Sequence, residues 1–254
     1  MGKPTAPQLL AKRLRDVEEP EPGLPAERAV HRMRVAARRL RAALRVLGLR
    51  ELDPAAKPLQ DALGDVRDLQ LQIAWLEKRD AALARRRASL LRKAERKLQQ
   101  TLRAWHGKGL PRLLGAAGKL GHGAQPGGRR VPKLLRKRLK RFEERLDAAL
   151  QSPGPRSAHR LRIAAKQVRY LFELAEDELP RVAKPLLKEL KPLQDALGEL
   201  HDADARMHLL RRARREALLR AEEKSRLRLM RDVAVALQRW KSEKIARKAR
   251  RRLG

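Results

Sequence analysis

The stretch His31-Arg32-Met33-Arg34-Val35-Ala36-Ala37-Arg38-Arg39-Leu40-Arg41 sets titratable and permanently charged groups at helical spacing. It returns as His159-Arg160-Leu161-Arg162-Ile163-Ala164-Ala165-Lys166-Gln167-Val168-Arg169. At 100° per residue, His31, Arg34, Arg38, Arg41 and Arg45 fall within about 80° of one another. Met33, Ala37, Leu40, Leu44 and Leu47 fall on the other side. In the second copy the basic front is His159, Arg162, Lys166 and Arg169. Like charges one turn apart destabilise a helix by roughly 0.2–0.5 kcal/mol per pair. A run of them with no acid on the same front is a local sacrifice of the kind found at functional sites. Arginine forks match phosphate oxygens, and lysine acts as a point charge. From His31 to Arg45 the front extends about 21 Å at 1.5 Å per residue. That length suits a string of phosphates better than one small anion. A histidine among arginines is expected to be pushed toward neutrality and to act as a pH-tunable phosphate ligand before it acts as a catalyst.

A second set of groups is acidic. Asp61, Asp65 and Asp68 share a helix side opposite Leu59, Leu63 and Val66, and the later copy offers Asp195, Glu199 and Asp202. One reading has these carboxylates, Asp61, Asp68, Asp195 and Asp202 above all, pairing with arginines of a neighbouring helix and fixing their rotamers. A magnesium site bridging to phosphate and a plain solvated face are the alternatives. His201, Asp204 and His208 also share a helix face, as a metal site would need. The first copy has Arg67, Gln70 and Ala74 at those places, which favours coincidence. No Gly-rich phosphate loop, HExxH or nucleophile elbow occurs, so the expectation is no catalytic residue, no metal and no cofactor.

The elements that position these groups follow from composition and punctuation. Lys and Arg number 63 against 30 acids, a net charge of +33 that points to a polyanionic partner. Ala, Leu, Arg, Lys and Glu dominate, which favours helices over a sheet. Cysteine is absent, which excludes disulfides, thiolate metal sites and a cysteine nucleophile. The first ten residues do not read as a secretory signal and no membrane span is expected, so a soluble cytoplasmic protein is the default. The spacing predicts helices over Pro7 to Val17 and Ala26 to Gly48, with Gly48 as a C-terminal cap. Asp53 as N-cap and Pro54 at the first helical position open a long helix through Leu76, and another covers Arg79 to Trp105. Residues 107–130 hold eight of the fifteen glycines. Within them Leu110 to Leu120 reads as a short helix and Gly121 to Arg130 as a linker. Helices over Val131 to Leu150, Arg156 to Leu174, Pro180 to about Leu210 and on to about Arg251 complete the chain.

The plan is therefore a duplication. Lys57-Pro58-Leu59-Gln60-Asp61-Ala62-Leu63-Gly64 is identical to the octet from Lys191 to Gly198. The offset there is 191 − 57 = 134, against 159 − 31 = 128 for the two histidines. Trp105 and Trp240 align as well, each with Leu three residues before it. A duplicated helical unit usually packs about a pseudo-twofold axis, with the basic helices meeting near it. The expected organisation is an N-terminal repeat over 6–120, a linker over 121–130 and a C-terminal repeat over 131–252.

These motifs resemble the conserved histidine α-helical domain (CHAD) family. The resemblance rests on His31-x-x-Arg34-x-x-x-Arg38-x-x-Arg41 with Leu59 to Asp68, and on His159-x-x-Arg162-x-x-x-Lys166-x-x-Arg169 with Leu193 to Asp202, over about Ala6 to Ala249. It implies an all-α fold of two similar four-helix bundles, and one domain over the whole chain. It also implies non-catalytic binding of inorganic polyphosphate on a basic surface or pore near the axis. The ligand set would be His31, Arg34, Arg38, Arg41, Arg45, Lys57, His159, Arg162, Lys166, Arg169 and Lys191, and the location cytoplasmic, with polyphosphate granules as the expected target. Some members carry a triphosphate-tunnel domain in front. Here there is no room for one and no Glu-x-Glu-x-Lys motif, which speaks against an enzyme. Lys166 keeps the charge of Arg38 but loses its fork. A monomer is expected. The competing readings are a general nucleic-acid binder, disfavoured because aromatics are only 2% of residues, and a metal-dependent phosphohydrolase using the acidic face.

Overall fold

A computed structural model describes residues 5–120 and 130–253. The fold is all-α, with no strand among the described residues. The chain divides into two compact units, 1–128 and 129–254. The first contains α1 (Ala6–Glu18), α2 (Glu27–Val46), α3 (Asp53–Glu77), α4 (Ala81–Ala104) and α5 (Leu110–Lys119). The second contains α6 (Arg130–Gln151), α7 (Pro155–Leu174), α8 (Pro180–Arg212), α9 (Glu216–Ser242) and α10 (Ile245–Arg251). The expected linker at 121–130 lies, but for Arg130, outside the described residues.

In the first unit α2 packs between α1 and α3, and α3 packs on α4. The apolar side of α2 is sealed: Met33, Leu40 and Leu44 are fully buried with Leu10, Leu14, Leu59, Leu63 and Val66. At about 25 cal/mol per Å2 of apolar surface, this burial is what holds a helix of such charge in place. Gly48 ends α2 as expected. Its φ of 80° is left-handed, and Leu49 N–H reaches back to Leu44 O at 2.7 Å, the 6→1 bond of a Schellman motif.

The start of α3 differs from expectation. Leu52 is the cap position and Asp53 the first helical residue, with no capping bond from its side chain. That carboxylate is turned to α2 instead. The end of α4 differs too. The helix runs through a π turn, Trp105–Gly109, into α5 without a break. Glycine permits this: a Cβ on Gly109 would lie 2.9 Å from the Trp105 ring and 3.1 Å from Ala55 O.

In the second unit α7 packs between α6 and α8, and α8 packs on α9. Leu139, Phe142, Leu161, Phe172 and Leu193 are buried, and Trp240 meets Phe142 edge-on at 5.1 Å. The single helix expected after α8 is two. Lys244 takes φ 52° and turns the chain between α9 and α10. No glycine or proline marks that turn, so the sequence carries no signal of it. No helix among the described residues is long and apolar enough to cross a membrane.

Candidate anion-binding faces of the two units

His31 is exposed on α2, and Arg67 of α3 approaches it. Partial burial, then Arg67, Arg34 and Arg38, hold its imidazole below the ordinary range, while Glu27 opposes them. Arg67 itself is tied to Glu27. Arg34 lies over Gly64, its Nε 3.7 Å from where a Cβ there would sit, and its guanidinium is 3.5 Å from Asp68. Arg38 is half-buried on the same front.

Further along the front, Arg41 donates from Nε and Nη2 to the two oxygens of Asp53 at 2.7 and 2.6 Å, and from Nη1 to Gln60 Oε1 at 3.0 Å. Arg45 adds a longer contact to Asp53 at 3.7 Å. The fork from Arg41 holds the Asp53 carboxyl below the usual carboxylate range. Glu27, one turn before His31 on the same front, pairs with Arg67, so the front of α2 is not acid-free even along its own helix. The next helix brings Asp53 and Asp68 to it, so the expectation of a stripe that nothing nearby neutralises is corrected. Arg41 is a clamp between α2 and α3, with 12% of its side chain exposed.

His159 and Arg169 are exposed on α7, and Arg162 and Lys166 are half-buried. The His159 ring lies 5.4 Å from that of His201 on α8, tilted by 37°. Burial, then Arg162, lower the affinity of His201 for a proton, Asp202 opposes, and His159 and Lys166 lower it further. Arg169 pairs with Glu173 of its own helix at 2.7 Å and donates from Nη1 to Gln194 Oε1 at 3.3 Å. Gln194 in turn donates to Ala165 O at 2.8 Å.

The acidic residues divide in their roles. Asp68 meets an arginine of a neighbouring helix, as the pairing reading requires. Asp61 and Asp195 do not. They pair one turn back with Lys57 and Lys191 of their own helices, an i,i+4 bond that the identical octets build in both places. Asp65 meets Lys97 of α4 at 2.9 Å. In the His201, Asp204, His208 set, Asp204 is bonded to Arg226 and His201 faces His159. Among the described residues no three His, Cys, Asp or Glu are grouped as metal ligands would be.

Sequence reasoning missed Gln60 and Gln194. They are the same residue of the two identical octets, and each accepts from the arginine that closes the basic motif, Arg41 or Arg169. The signal was present in the exact repetition of Gln, which neither packing nor helix propensity demands.

A duplicated all-α protein with a clamped basic helix in each half is the class that these features define. The sequence model of the CHAD domain matches residues 8–211, and the chain belongs to that family. The match stops in the last turn of α8, short of the Ala249 reached by the motif comparison. Among solved structures, the chain is similar to the crystal structure of the CHAD domain from the plant Ricinus communis, at a TM-score of 0.66 and 23% identity over 91% of this chain and 90% of that one. No curated protein matches.

Proposed function

We propose that this protein binds inorganic polyphosphate without catalysis, along the cationic fronts of α2 and α7. His31, Arg34, Arg38 and Arg45 form the first front, with Lys57 beside them. His159, Arg162, Lys166 and Arg169 form the second, and Lys191 of α8 is assigned to it by its match to Lys57 in the identical octets. Arg41 contributes through its clamp on α3 more than as an open ligand. One observation carries the reading: in each unit a helix with its apolar side sealed in the core presents an exposed histidine followed by spaced cations. In each, a glutamine of the next helix fixes the last arginine. Preorganised cations lose little freedom when an anion arrives. Attachment to polyphosphate granules in the cytoplasm would follow from such binding.

The test is competition at fixed ionic strength between long-chain polyphosphate, DNA, RNA and triphosphate, with phosphate release monitored. Long-chain polyphosphate should win, and no phosphate should appear. Preference for DNA or RNA would replace the reading with nucleic-acid binding, and metal-dependent release would replace it with hydrolysis. Binding should also weaken steeply with salt, because each phosphate neutralised releases a counterion.

A further inference from the structure

The groove between α6 and α7 is lined by arginines that belong to neither cationic front. Two adjoining hollows open there, of about 570 and about 170 Å3. Arg145 and Arg160 line both, Arg156 the larger and Arg141 the smaller. The smaller ends at His159 and Gln167. Arg141 and Arg145 are one turn apart on α6, and Arg156 and Arg160 one turn apart on α7. Among the described residues none of these four arginines makes an ion pair.

The neighbouring acids are engaged elsewhere or stand aside. Glu143 pairs with Arg250, Asp147 with Lys241, and Glu173 with Arg169. Glu144 is exposed on the flank of α6 and lines neither hollow.

The first unit shows what a neutralised version looks like. Its counterparts of Arg156 and Arg160 at the 128-residue offset are Arg28 and Arg32. There the connector into α2 reads Glu18-Glu19-Pro20-Glu21, and Glu19 holds Arg32. Arg13 of α1 is likewise held by Asp16, at 2.8 Å. The connector into α7 reads Gln151-Ser152-Pro153-Gly154 and has no acid. In the second repeat the groove is lined by arginines and no acid, whereas in the first Glu19 pairs with Arg32.

We infer that the α6–α7 groove is a second anion site, peculiar to the second unit, that takes a compact polyvalent phosphoanion between Arg141, Arg145, Arg156 and Arg160. Two arginine pairs on facing helices offer forked donors from both sides, which fits phosphate groups carrying several charges better than a lone carboxylate. The inference stands on the arginines of this groove, which meets the α7 front at His159.

Calorimetric titration of the full chain with tripolyphosphate tests it, with citrate as a carboxylate of similar charge. Arg145→Gln/Arg160→Gln should weaken tripolyphosphate binding about tenfold or more, as expected when two charge-assisted contacts are lost. Arg28→Gln/Arg32→Gln should leave it unchanged. Arg34→Glu/Arg162→Glu removes the tripolyphosphate held by the two fronts, and tripolyphosphate should still shield Arg145 and Arg160 from phenylglyoxal in that variant, so a failure of the polyphosphate reading and a failure of this one give different results. Tripolyphosphate should also shield Arg145 and Arg160 from phenylglyoxal in the unmutated protein, a readout that needs no variant to fold. The inference is overturned if Arg145→Gln/Arg160→Gln binds tripolyphosphate as the parent does. It is equally overturned if the Arg28/Arg32 variant loses as much, if citrate binds as tightly, or if no shielding occurs.

Discussion

Arg41 and Arg169 hold the same place in the two repeats and are fixed in different ways. Arg41 is forked onto Asp53 of the next helix, half-buried, with Gln60 as third acceptor. Arg169 reaches an acid of its own helix, stays 46% exposed, and is bonded to α8 through Gln194. The cause is in the sequence. At the 134-residue offset of the octets, Asp53 corresponds to Leu187, so the second copy has no acid to receive the fork. The glutamine is shared but bonded differently: Gln194 is buried, accepts from Arg169 at 3.3 Å and donates to Ala165 O, whereas Gln60 is half-buried and accepts from Arg41 at 3.0 Å. The same exchange recurs beside the leading histidines. Arg67 with its Glu27 partner stands by His31, and a second histidine, His201, stands by His159. Duplication has kept the geometry of the basic helix while letting each copy choose its own counter-charges. The second unit keeps the more exposed closing arginine and a second histidine beside the first.

The contrast can be broken by mutation. The largest effect is expected from Gly109→Ala, which drives a methyl into the Trp105 ring and the Ala55 carbonyl. Overpacking of this kind is destabilising by about 1–3 kcal/mol, to be read from the thermal or urea midpoint. Gln194→Ala should follow, at about 2 kcal/mol, because Ala165 O and Arg169 lose a buried partner together. Gln60→Ala should cost less, about 1 kcal/mol, since Arg41 retains Asp53. If the two glutamines cost the same, the difference drawn between the clamps is wrong. Arg169→Ala should matter little to stability, about 0.5 kcal/mol, as for other exposed i,i+4 pairs.

Both units carry a histidine that responds to acidity. His31 and His201 both bind a proton less readily in the fold than their ordinary 6.5. The unfolded chain therefore takes up the proton first. The stability they contribute is complete above 6.5 and is lost as pH falls through their lowered values. A bound polyanion works in the other direction, since it favours the imidazolium. Polyphosphate affinity should rise as pH falls, with protons taken up on binding. His201→Arg gives the second unit the arrangement of the first and should flatten that dependence. A pH profile unchanged by His201→Arg would remove the histidine pair from the binding face.

Much of this was legible beforehand. The limits of α1, α2, α7 and α8 followed from apolar spacing and from proline and glycine punctuation. The greasy back of α2 was fully specified by Met33, Leu40 and Leu44. What periodicity cannot report is which charges meet across helices. Asp53 read as a cap because Asp-Pro is a start signal, but a forked bond to Arg41 outweighs a capping bond worth about 1 kcal/mol. Asp61 and Asp195 read as partners for a neighbouring helix, yet Lys57 and Lys191 stand one turn away on their own. The turn at Lys244 is a left-handed lysine held by its surroundings, invisible to any local rule.

The central claim is that polyphosphate is held by the fronts of α2 and α7 and not by basicity in general. The most direct measurement is the affinity of long-chain polyphosphate, and its slope against log salt, for two charge-matched variants. Arg34→Glu/Arg162→Glu reverses one cation on each front. Arg220→Glu/Arg228→Glu reverses two exposed arginines of α9. The account predicts that the first variant loses most of its affinity and about 1 in salt slope for each cation reversed, while the second stays close to the parent. Equal losses in the two variants would contradict it.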